Sequence, residues 1–211
     1  MDNILETLGG ALGGEVGVTL ARQMGVDEAT ARGLVRVAVP MLVAGLERNS
    51  RDPRGAASLA GALQTKHDGS VLDDVASFLS GGGDPADGAA ILGHVFGGQR
   101  AAVTSGVGQA TAIDPQLLQK AMIILAPLVL GYLGRRQRAE KLDTGGLSDL
   151  LRREERAIEK TAGAAGAGAV DLGTLLDLLV RDQGGDVKPD ALRLGQQLLG
   201  ALMSGRRPKT P

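Results

Sequence analysis

The 211-residue chain contains no cysteine and almost no aromatic residues. The missing thiols exclude disulfides, thiolate zinc sites and cysteine nucleophiles. Phe78, Phe96 and Tyr132 are the only aromatic side chains, and tryptophan is absent. Because 43% of the residues are nevertheless hydrophobic, Leu, Val, Ala and Gly have to form the core. Small side chains allow backbones to approach closely but bury little area each.

The chain also lacks a large net charge and very long apolar runs. The net charge of −1 provides no overall field that would attract nucleic acid or anionic lipid. The amino-terminal MDNILETLGG has no basic region of the kind that begins a signal peptide. The longest apolar runs, 35–46 and 121–134, are shorter than the ~18–20 residues that span a bilayer. We therefore expect a cytoplasmic protein without a membrane span.

The chain does contain an internal similarity at a spacing of 87 residues. Residues 26–27 (Val-Asp) recur as 113–114 (Ile-Asp), and 40–43 (Pro-Met-Leu-Val) recur as 127–130 (Pro-Leu-Val-Leu). A constant offset across separate segments predicts that the chain consists of two related helical repeats.

The two predicted repeats differ in length. Residues 68–81 resemble 184–200, but the spacing between these two segments is larger. We therefore predict a first repeat at 1–87 and a second repeat at 88–211, with an inserted helical segment at about 140–180.

Local signals indicate helices throughout the chain. Asp27 and Asp114 are well placed as N-caps, and Pro115 stands at a first helical position, which needs no amide donor. Pro40 and Pro127 are expected to break or kink the apolar helices, because proline removes a backbone hydrogen bond and clashes with the preceding turn. No run alternates with period two for long enough to indicate a strand. The predicted fold class is all-α, a multihelical bundle built from two related repeats.

Two segments, ILGHVFGG (91–98) and IDPQLLQKAMIILAPLVLGYLG (113–134), are followed by a turn and then by a terminal amphipathic helix. That turn is similar to DGSVLDD at 68–74. This pattern resembles the YidB-like bacterial family, which is catalogued as domain of unknown function 937. The resemblance covers most of the chain and is closest at 85–135. It implies a compact multihelical bundle with some likeness to homeodomain-like folds. It implies no catalytic residues, because none are established for the family.

The glycine-rich segment LGGALGGEVG at 8–17 lacks the Lys-Ser or Lys-Thr of a phosphate-binding loop, and no strand precedes it. Small residues four apart instead line one side of a helix and permit close contact with a second helix. A flexible loop is the alternative. Together with the two prolines of the apolar helices, the candidates for packing or association are Gly9, Gly10, Gly13, Gly14, Gly17, Pro40 and Pro127.

Motifs for metal binding and hydrolysis are missing from the sequence. The two histidines, His67 and His94, lie in separate segments, and no HExxH occurs. The acidic turn at 66–74 lacks the regularly spaced oxygen ligands of an EF-hand, and there is no GxSxG elbow. The acidic pairs at 73–74 and 154–155 are expected at the solvated surface. We therefore predict no catalytic, metal-binding or cofactor-binding residues.

Residues 20–36, LARQMGVDEATARGLVR, look like a helix–turn–helix segment. Its second helix would enter a DNA major groove, with Thr30, Arg32 and Arg36 as the candidate contacts. Glu28 weakens this interpretation because phosphates would repel it, and the helix is apolar enough beyond its first turns to be buried. An ordinary corner between two helices would use the same glycine turn.

These observations predict a non-enzymatic protein that acts by self-association or by contact with another protein. The related halves imply a pseudo-symmetric body, the Gly/Ala faces favour close helix contacts, and polar residues suited to catalysis are sparse. Closed symmetry would give a homo-oligomer, and a head-to-tail contact would give a larger assembly. A DNA-associated protein that uses residues 20–36 is the alternative. An enzyme with an unrecognised site would need a pocket with converging polar groups.

Overall fold

The computed structural model describes residues 3–111 and 113–164, apart from the side chains at positions 82, 109, 110 and 161–164. The helices are α1 Ile4–Ala11, α2 Gly14–Met24, α3 Glu28–Ser50, α4 Pro53–Thr65, α5 Val75–Ser77, α6 Pro85–Phe96, α7 Arg100–Thr111, α8 Pro115–Glu140 and α9 Thr144–Ala164. Tight helical turns lie at Ser70–Leu72, Phe78–Gly82 and Gly97–Gln99. These described ranges contain no strand, which confirms the predicted all-α class.

Aspartate caps begin the two longest helices. The Asp114 carboxylate accepts a hydrogen bond from the Gln116 amide at 2.8 Å, and Pro115 occupies the first position of α8. The Asp27 carboxylate likewise accepts from the Thr30 amide at 2.9 Å. Both caps confirm the prediction, because a side-chain oxygen satisfies first-turn amides that have no carbonyl partner.

The core is centred on α3 and α8, which pack against each other and against most of the other helices. Residues 38–47 of α3 and 125–134 of α8 are all buried. Ile4 and Leu8 of α1 are fully buried as well. The apolar side of α9 contributes Leu147, Leu150, Leu151 and Ile158.

Pro40 and Pro127 lie inside these two buried sections. We expected each proline to break or kink its helix. The break is wrong, since α3 runs for 23 residues and α8 for 26 residues through them, and the kink remains a prediction. An interior proline costs a helix about 3 kcal/mol, through the lost hydrogen bond and the crowded turn. Here the core encloses both helices, so burial of their apolar side chains maintains the helical path. Both prolines are core residues in this fold.

α6 crosses α8 where Pro127 interrupts the helical hydrogen bonding. In a regular helix the amide of residue 127 would donate to the Ile123 carbonyl, but proline has no amide hydrogen. Gly88 of α6 lies against this carbonyl, and a Cβ at position 88 would be 2.0 Å from the Ile123 oxygen. Gly45 of α3 has a similar role, because a Cβ there would lie 2.6 Å from Cγ1 of Val95 in α6. Close helix packing by glycine therefore occurs within the core.

The starts of α3 and α8 keep the 87-residue spacing, at Glu28 and Pro115. Each of these long helices follows a shorter helix, α2 or α7, and precedes another, α4 or α9. The duplication and the division at residue 87 remain predictions. Residues 165–211, which include the segment 184–200 and the end of the predicted insertion, lie outside the described residues.

α3 and α8 are longer than the apolar runs inside them. By length and composition each contains an 18-residue window that could cross a membrane. The prediction that no segment is long enough is therefore wrong, because polar ends extend each apolar run into a longer helix. In this fold 67% and 72% of the two windows are buried inside the protein, as core helices of soluble proteins also are. The location of the protein remains a prediction.

Candidate functional site

The glycine-rich opening segment folds as two helices. α1 ends at Ala11, and the Leu12 amide caps it by donating to the Leu8 carbonyl at 2.8 Å. α2 begins at Gly14, whose φ of +57° favours glycine. The segment is thus neither the single packed helix nor the loop that the sequence left open. The prediction that these glycines line one side of a single helix is wrong, because α1 ends at Ala11, between Gly10 and Gly13.

One glycine of this segment packs inside the protein. Gly17 is buried, and a Cβ there would lie 2.6 Å from the Leu12 carbonyl oxygen. A Cβ at Gly9 or Gly10 would meet no atom within 4 Å. The exposed glycines are Gly9, Gly10, Gly13 and Gly14.

The exposed glycines of this segment lie at the end of α1, in the turn that follows it and at the start of α2. A Cβ at Gly13 would lie 3.2 Å from the Gly10 carbonyl oxygen, because the chain turns tightly between the two helices. Val18 follows Gly14 by one helical turn and is 43% exposed, the most exposed large hydrophobic residue in the described part of the chain. We call the patch of Gly9, Gly10, Gly13, Gly14 and Val18 the glycine surface.

α2 and α3 form a helix–turn–helix pair around Gly25. This residue ends α2 in the left-handed region, with a φ of +77°. The predicted DNA contacts on the first turns of α3, Thr30, Arg32 and Arg36, are all exposed. The structure therefore places these three side chains together on the outside of the pair.

Two of these three side chains have partners at the amino-terminal end of α3. The Thr30 hydroxyl donates to the Asp27 carboxylate at 2.6 Å, and Arg32 lies 3.0 Å from the Glu28 carboxylate. Burial of α3 further along the chain confirms the prediction, since residues 38–47 are enclosed by the core. The fully exposed side chains of α3 therefore all lie in its first turns.

A buried carboxylate joins the amino terminus of α1 to α8 and α9. Glu154 is 5% exposed, and its two oxygens accept hydrogen bonds from the Ile4 amide and the Tyr132 hydroxyl, both at 2.8 Å. The Arg136 guanidinium lies 3.6 Å from this carboxylate and donates to the Tyr132 oxygen at 2.8 Å. Burial and the hydrogen bond to Glu154 raise the pKa of Tyr132, so the hydroxyl keeps its proton and donates it.

The prediction that the acidic pair at 154–155 is solvated is wrong for Glu154. This residue stands at helical spacing from the buried Leu147, Leu150, Leu151 and Ile158 of α9. A buried charge is tolerated when hydrogen-bond donors surround it, as an amide, a hydroxyl and a guanidinium do here. The helical spacing is a signal that could have found Glu154, whereas its partners are distant in the sequence.

The acidic turn at 66–74 packs on the last turns of α8. Gly134 of α8 makes room for it, because a Cβ there would lie 2.0 Å from the His67 carbonyl oxygen. The Asp68 carboxylate accepts a hydrogen bond from Arg138 at 2.8 Å, which ties the turn to the helix. Among residues 3–111 and 113–164, no three or more His, Asp or Glu side chains are grouped to hold a metal ion.

His67 is a buried histidine beside this turn. Its side chain is 8% exposed, and its Nε2 lies 3.8 Å from the Asp87 carboxylate. The Lys66 ammonium contacts the same Asp87 oxygen at 2.6 Å. Burial lowers the pKa of His67 more than the Asp87 charge raises it. The imidazole is therefore neutral near pH 7, unlike a histidine that is paired as a cation.

An open pocket of about 210 Å³ lies between the carboxyl-terminal half of α3 and the end of α6. It is lined by Gly45, Arg48, Asn49, Asp52, Val95, Phe96 and Gln99. Sequence reasoning missed this site because its residues come from separate parts of the chain. The connector RNSRDPRG at 48–55 indicates only a turn when read alone.

The family model of DUF937, a bacterial protein of unknown function, matches residues 6–136. The matched part begins in α1 and ends in α8, so it contains the glycine surface, Pro40, Pro127 and the pocket. None of the curated proteins and none of the solved structures compared with the chain matches it. The family match covers more than half of the 211 residues and agrees with the resemblance in the sequence. The chain therefore belongs to the DUF937 family of bacterial proteins of unknown function.

Proposed function

We propose that this protein acts without catalysis, by associating with copies of itself through the glycine surface. Another protein is the alternative partner for the same surface. The observation that carries the proposal is the exposure of Gly9 and Gly10 inside a helix, where no atom of the protein would touch an added Cβ.

Glycine is an unfavourable residue at these two positions. An interior glycine destabilises a helix by up to about 1 kcal/mol relative to alanine, and α1 has only eight residues. Neither Gly9 nor Gly10 has a positive φ, so the backbone does not require glycine. Internal packing does not require it either. Close approach of a second molecule to the α1 backbone would explain why glycine occupies both positions.

The exposed Val18 supports the same surface. A single exposed apolar residue is ordinary, but this one follows the exposed Gly14 by one helical turn on α2. A patch of bare backbone beside one valine suits the close approach of another helix. Symmetric pairing would give a closed homo-oligomer, and contact with a different face would give a larger assembly. The proposal needs no cofactor, and we place its action in the cytoplasm.

Substitution of Gly9 and Gly10 by leucine tests the proposal. Both positions are exposed, and an added Cβ meets no atom within 4 Å, so the fold should persist while a close partner is blocked. Light scattering across concentration should show wild-type mass above one chain and G9L/G10L mass at one chain. Gly14 is left unchanged, because its positive φ would strain any other residue.

Gly61→Leu is the matched control for this experiment. Gly61 is exposed in α4, and an added Cβ there meets no atom within 4 Å. This variant should assemble as the wild type does. Unchanged assembly of G9L/G10L would contradict the proposed surface. A wild type that stays monomeric at every concentration would contradict self-association.

Binding of duplex DNA by residues 20–36 is a second candidate function. The helix–turn–helix pair and the exposed Arg32 and Arg36 favour it, whereas the Glu28 carboxylate beside Arg32 opposes it. Salt-sensitive binding of duplex DNA should disappear in Arg32→Glu/Arg36→Glu. Failure of the wild type to bind, or equal binding by the double variant, would exclude this function.

A further inference from the structure

α1 is a short helix that packs on the rest of the protein through one apolar face. Ile4 and Leu8 of this face are fully buried, and Leu12, which follows the helix, is buried as well. The helix contacts α3 and α8, and the Ile4 amide donates to the buried Glu154 carboxylate of α9 at 2.8 Å. These contacts define a site on α3, α8 and α9 that receives α1.

The turn that joins α1 to α2 leaves the start of α2 without a side-chain cap. Its N-cap is Gly13, which has no side chain to accept from the first amides, whereas side chains cap α1, α3, α4, α6 and α8. The last carbonyls of one helix and the first amides of the next lack partners within their own helices. If α1 and α2 joined as one helix over residues 4–24, these carbonyls and amides would bond to each other.

The turn requires glycine at positions where a continuous helix does not. Gly14 has a φ of +57°, which other residues rarely adopt. A Cβ at Gly17 would lie 2.6 Å from the Leu12 carbonyl oxygen, and a Cβ at Gly13 would lie 3.2 Å from the Gly10 carbonyl oxygen. In a regular helix alanine is more favourable than glycine. These glycines therefore permit the turn at the expense of a single helix.

The apolar residues of α1 and α2 are compatible with one helix. Every fourth residue in 4–24 is apolar: Ile4, Leu8, Leu12, Val16, Leu20 and Met24. Residues four apart form a ridge along a continuous helix, and this row passes through the turn without interruption. The segment can therefore form either two helices with a turn or one longer helix.

We propose that two copies of this protein exchange α1. In the exchanged dimer, α1 of each copy occupies the site on α3, α8 and α9 of the other copy, and α1 and α2 of each chain form one helix. The second copy fits because its α1 makes the same contacts that α1 makes within one chain. This inference rests on the proposed self-association, and it assigns Gly13 and Gly14 of the glycine surface as the hinge.

Photo-crosslinking of the full chain tests the exchange directly. p-Benzoylphenylalanine replaces Leu5, which is a half-buried residue of α1 that packs against the core. Unlabelled and heavy-isotope-labelled protein are mixed as dilute monomers and then concentrated until light scattering shows dimers. Exchange predicts cross-links that join α1 of one label to α3, α8 or α9 of the other label.

Phe78 is the control position for the cross-linking. Its ring packs beside Gly83 of the same chain, far along the sequence from the hinge. p-Benzoylphenylalanine at position 78 should therefore give cross-links only between peptides with the same label, in the same mixture of dimers.

Gly14→Ala/Gly17→Ala biases the hinge toward the continuous helix. Both alanines conflict with the turn and suit a helix, so light scattering should give a dimer association constant at least about tenfold above that of the wild type. Rigid contact between two glycine surfaces predicts a weaker dimer, because a methyl group at position 14 would cover the surface. Gly33→Ala/Gly61→Ala is the matched control, since both glycines lie inside helices and an added Cβ meets no atom within 4 Å. This control should dimerise as the wild type does.

Three results would overturn the exchange. The first is dimers in which α1 cross-links only to peptides with the same label, a result that leaves the proposed self-association intact. The second is a Gly14→Ala/Gly17→Ala variant that is folded by circular dichroism and dimerises no more strongly than the wild type. The third is a wild type that is monomeric at every concentration, which overturns the proposed self-association as well.

Discussion

Gly88 of α6 faces the carbonyl oxygen of Ile123 in α8, at the place where a Cβ would lie 2.0 Å from that oxygen. Pro127 deprives this carbonyl of its helical donor, because proline has no amide hydrogen. Glycine lets the second backbone come close enough for a Cα–H···O contact. A proline in one helix and a glycine in its neighbour thus determine together where α6 lies on α8.

Gly88→Ala should destabilise the protein by about 1–3 kcal/mol, because its methyl group would force apart two backbones. Urea denaturation measures this loss as a lower midpoint. Gly93→Ala in the same helix is the matched control, since position 93 is exposed and has no atom within 4 Å. The control should raise stability by up to about 1 kcal/mol. Equal stability of the two variants would show that the α6–α8 crossing is wrong.

Glu154→Ala should lower the free energy of unfolding by about 3–5 kcal/mol. It would leave the Ile4 amide and the Tyr132 hydroxyl buried without their acceptor. Tyr132→Phe removes one hydrogen bond to the same carboxylate and should cost about 1–2 kcal/mol. Urea denaturation of each variant provides both values.

Asp149→Asn is the control for Glu154 on the same helix. Asp149 is exposed and pairs with Arg152, and an exposed ion pair contributes about 0–1 kcal/mol. Its substitution should therefore change stability little. A Glu154 variant as stable as this control would show that the amino terminus of α1 does not depend on the buried carboxylate.

The stability of the protein should fall as the pH drops below about 6.5. Burial lowers the pKa of His67 below its ordinary value, so the unfolded chain takes up a proton at this residue before the folded protein does. Protonation therefore favours unfolding in this range. Urea denaturation from about pH 7.5 to about pH 5.5 should show a smaller dependence in His67→Gln than in the wild type.

His94→Gln is the control for the pH experiment, because His94 is exposed on α6. This variant should keep the wild-type dependence of stability on pH. If His67→Gln and the wild type lose stability equally between the two pH values, the prediction that His67 is buried in its neutral form is contradicted.

The local features of the fold could be predicted from the residues themselves. Asp27 and Asp114 cap helices because their side chains reach amides only two or three positions along the chain. The all-α class follows from the same short-range patterns. The family resemblance in 85–135 also agrees with the family match to residues 6–136.

Features that depend on a distant segment could not be predicted in this way. The sequence alone assigned a packing role to Gly9 and Gly10 and none to Gly88, whereas of these three only Gly88 faces a neighbouring helix. Likewise Glu154 and Glu155 are alike in sequence, but only Glu154 meets Ile4, 150 residues away.

The residues alone show that this chain is helical, where its main helices begin, and that its core is built from aliphatic residues. Only the folded chain shows which glycines pack and which are exposed, that α3 and α8 continue through their prolines, and that a mixed polar and apolar pocket forms beside α6. The two groups of features differ in the range of the interactions that produce them. Helix formation and capping act over a few residues, whereas burial depends on which surfaces meet when the whole chain has folded.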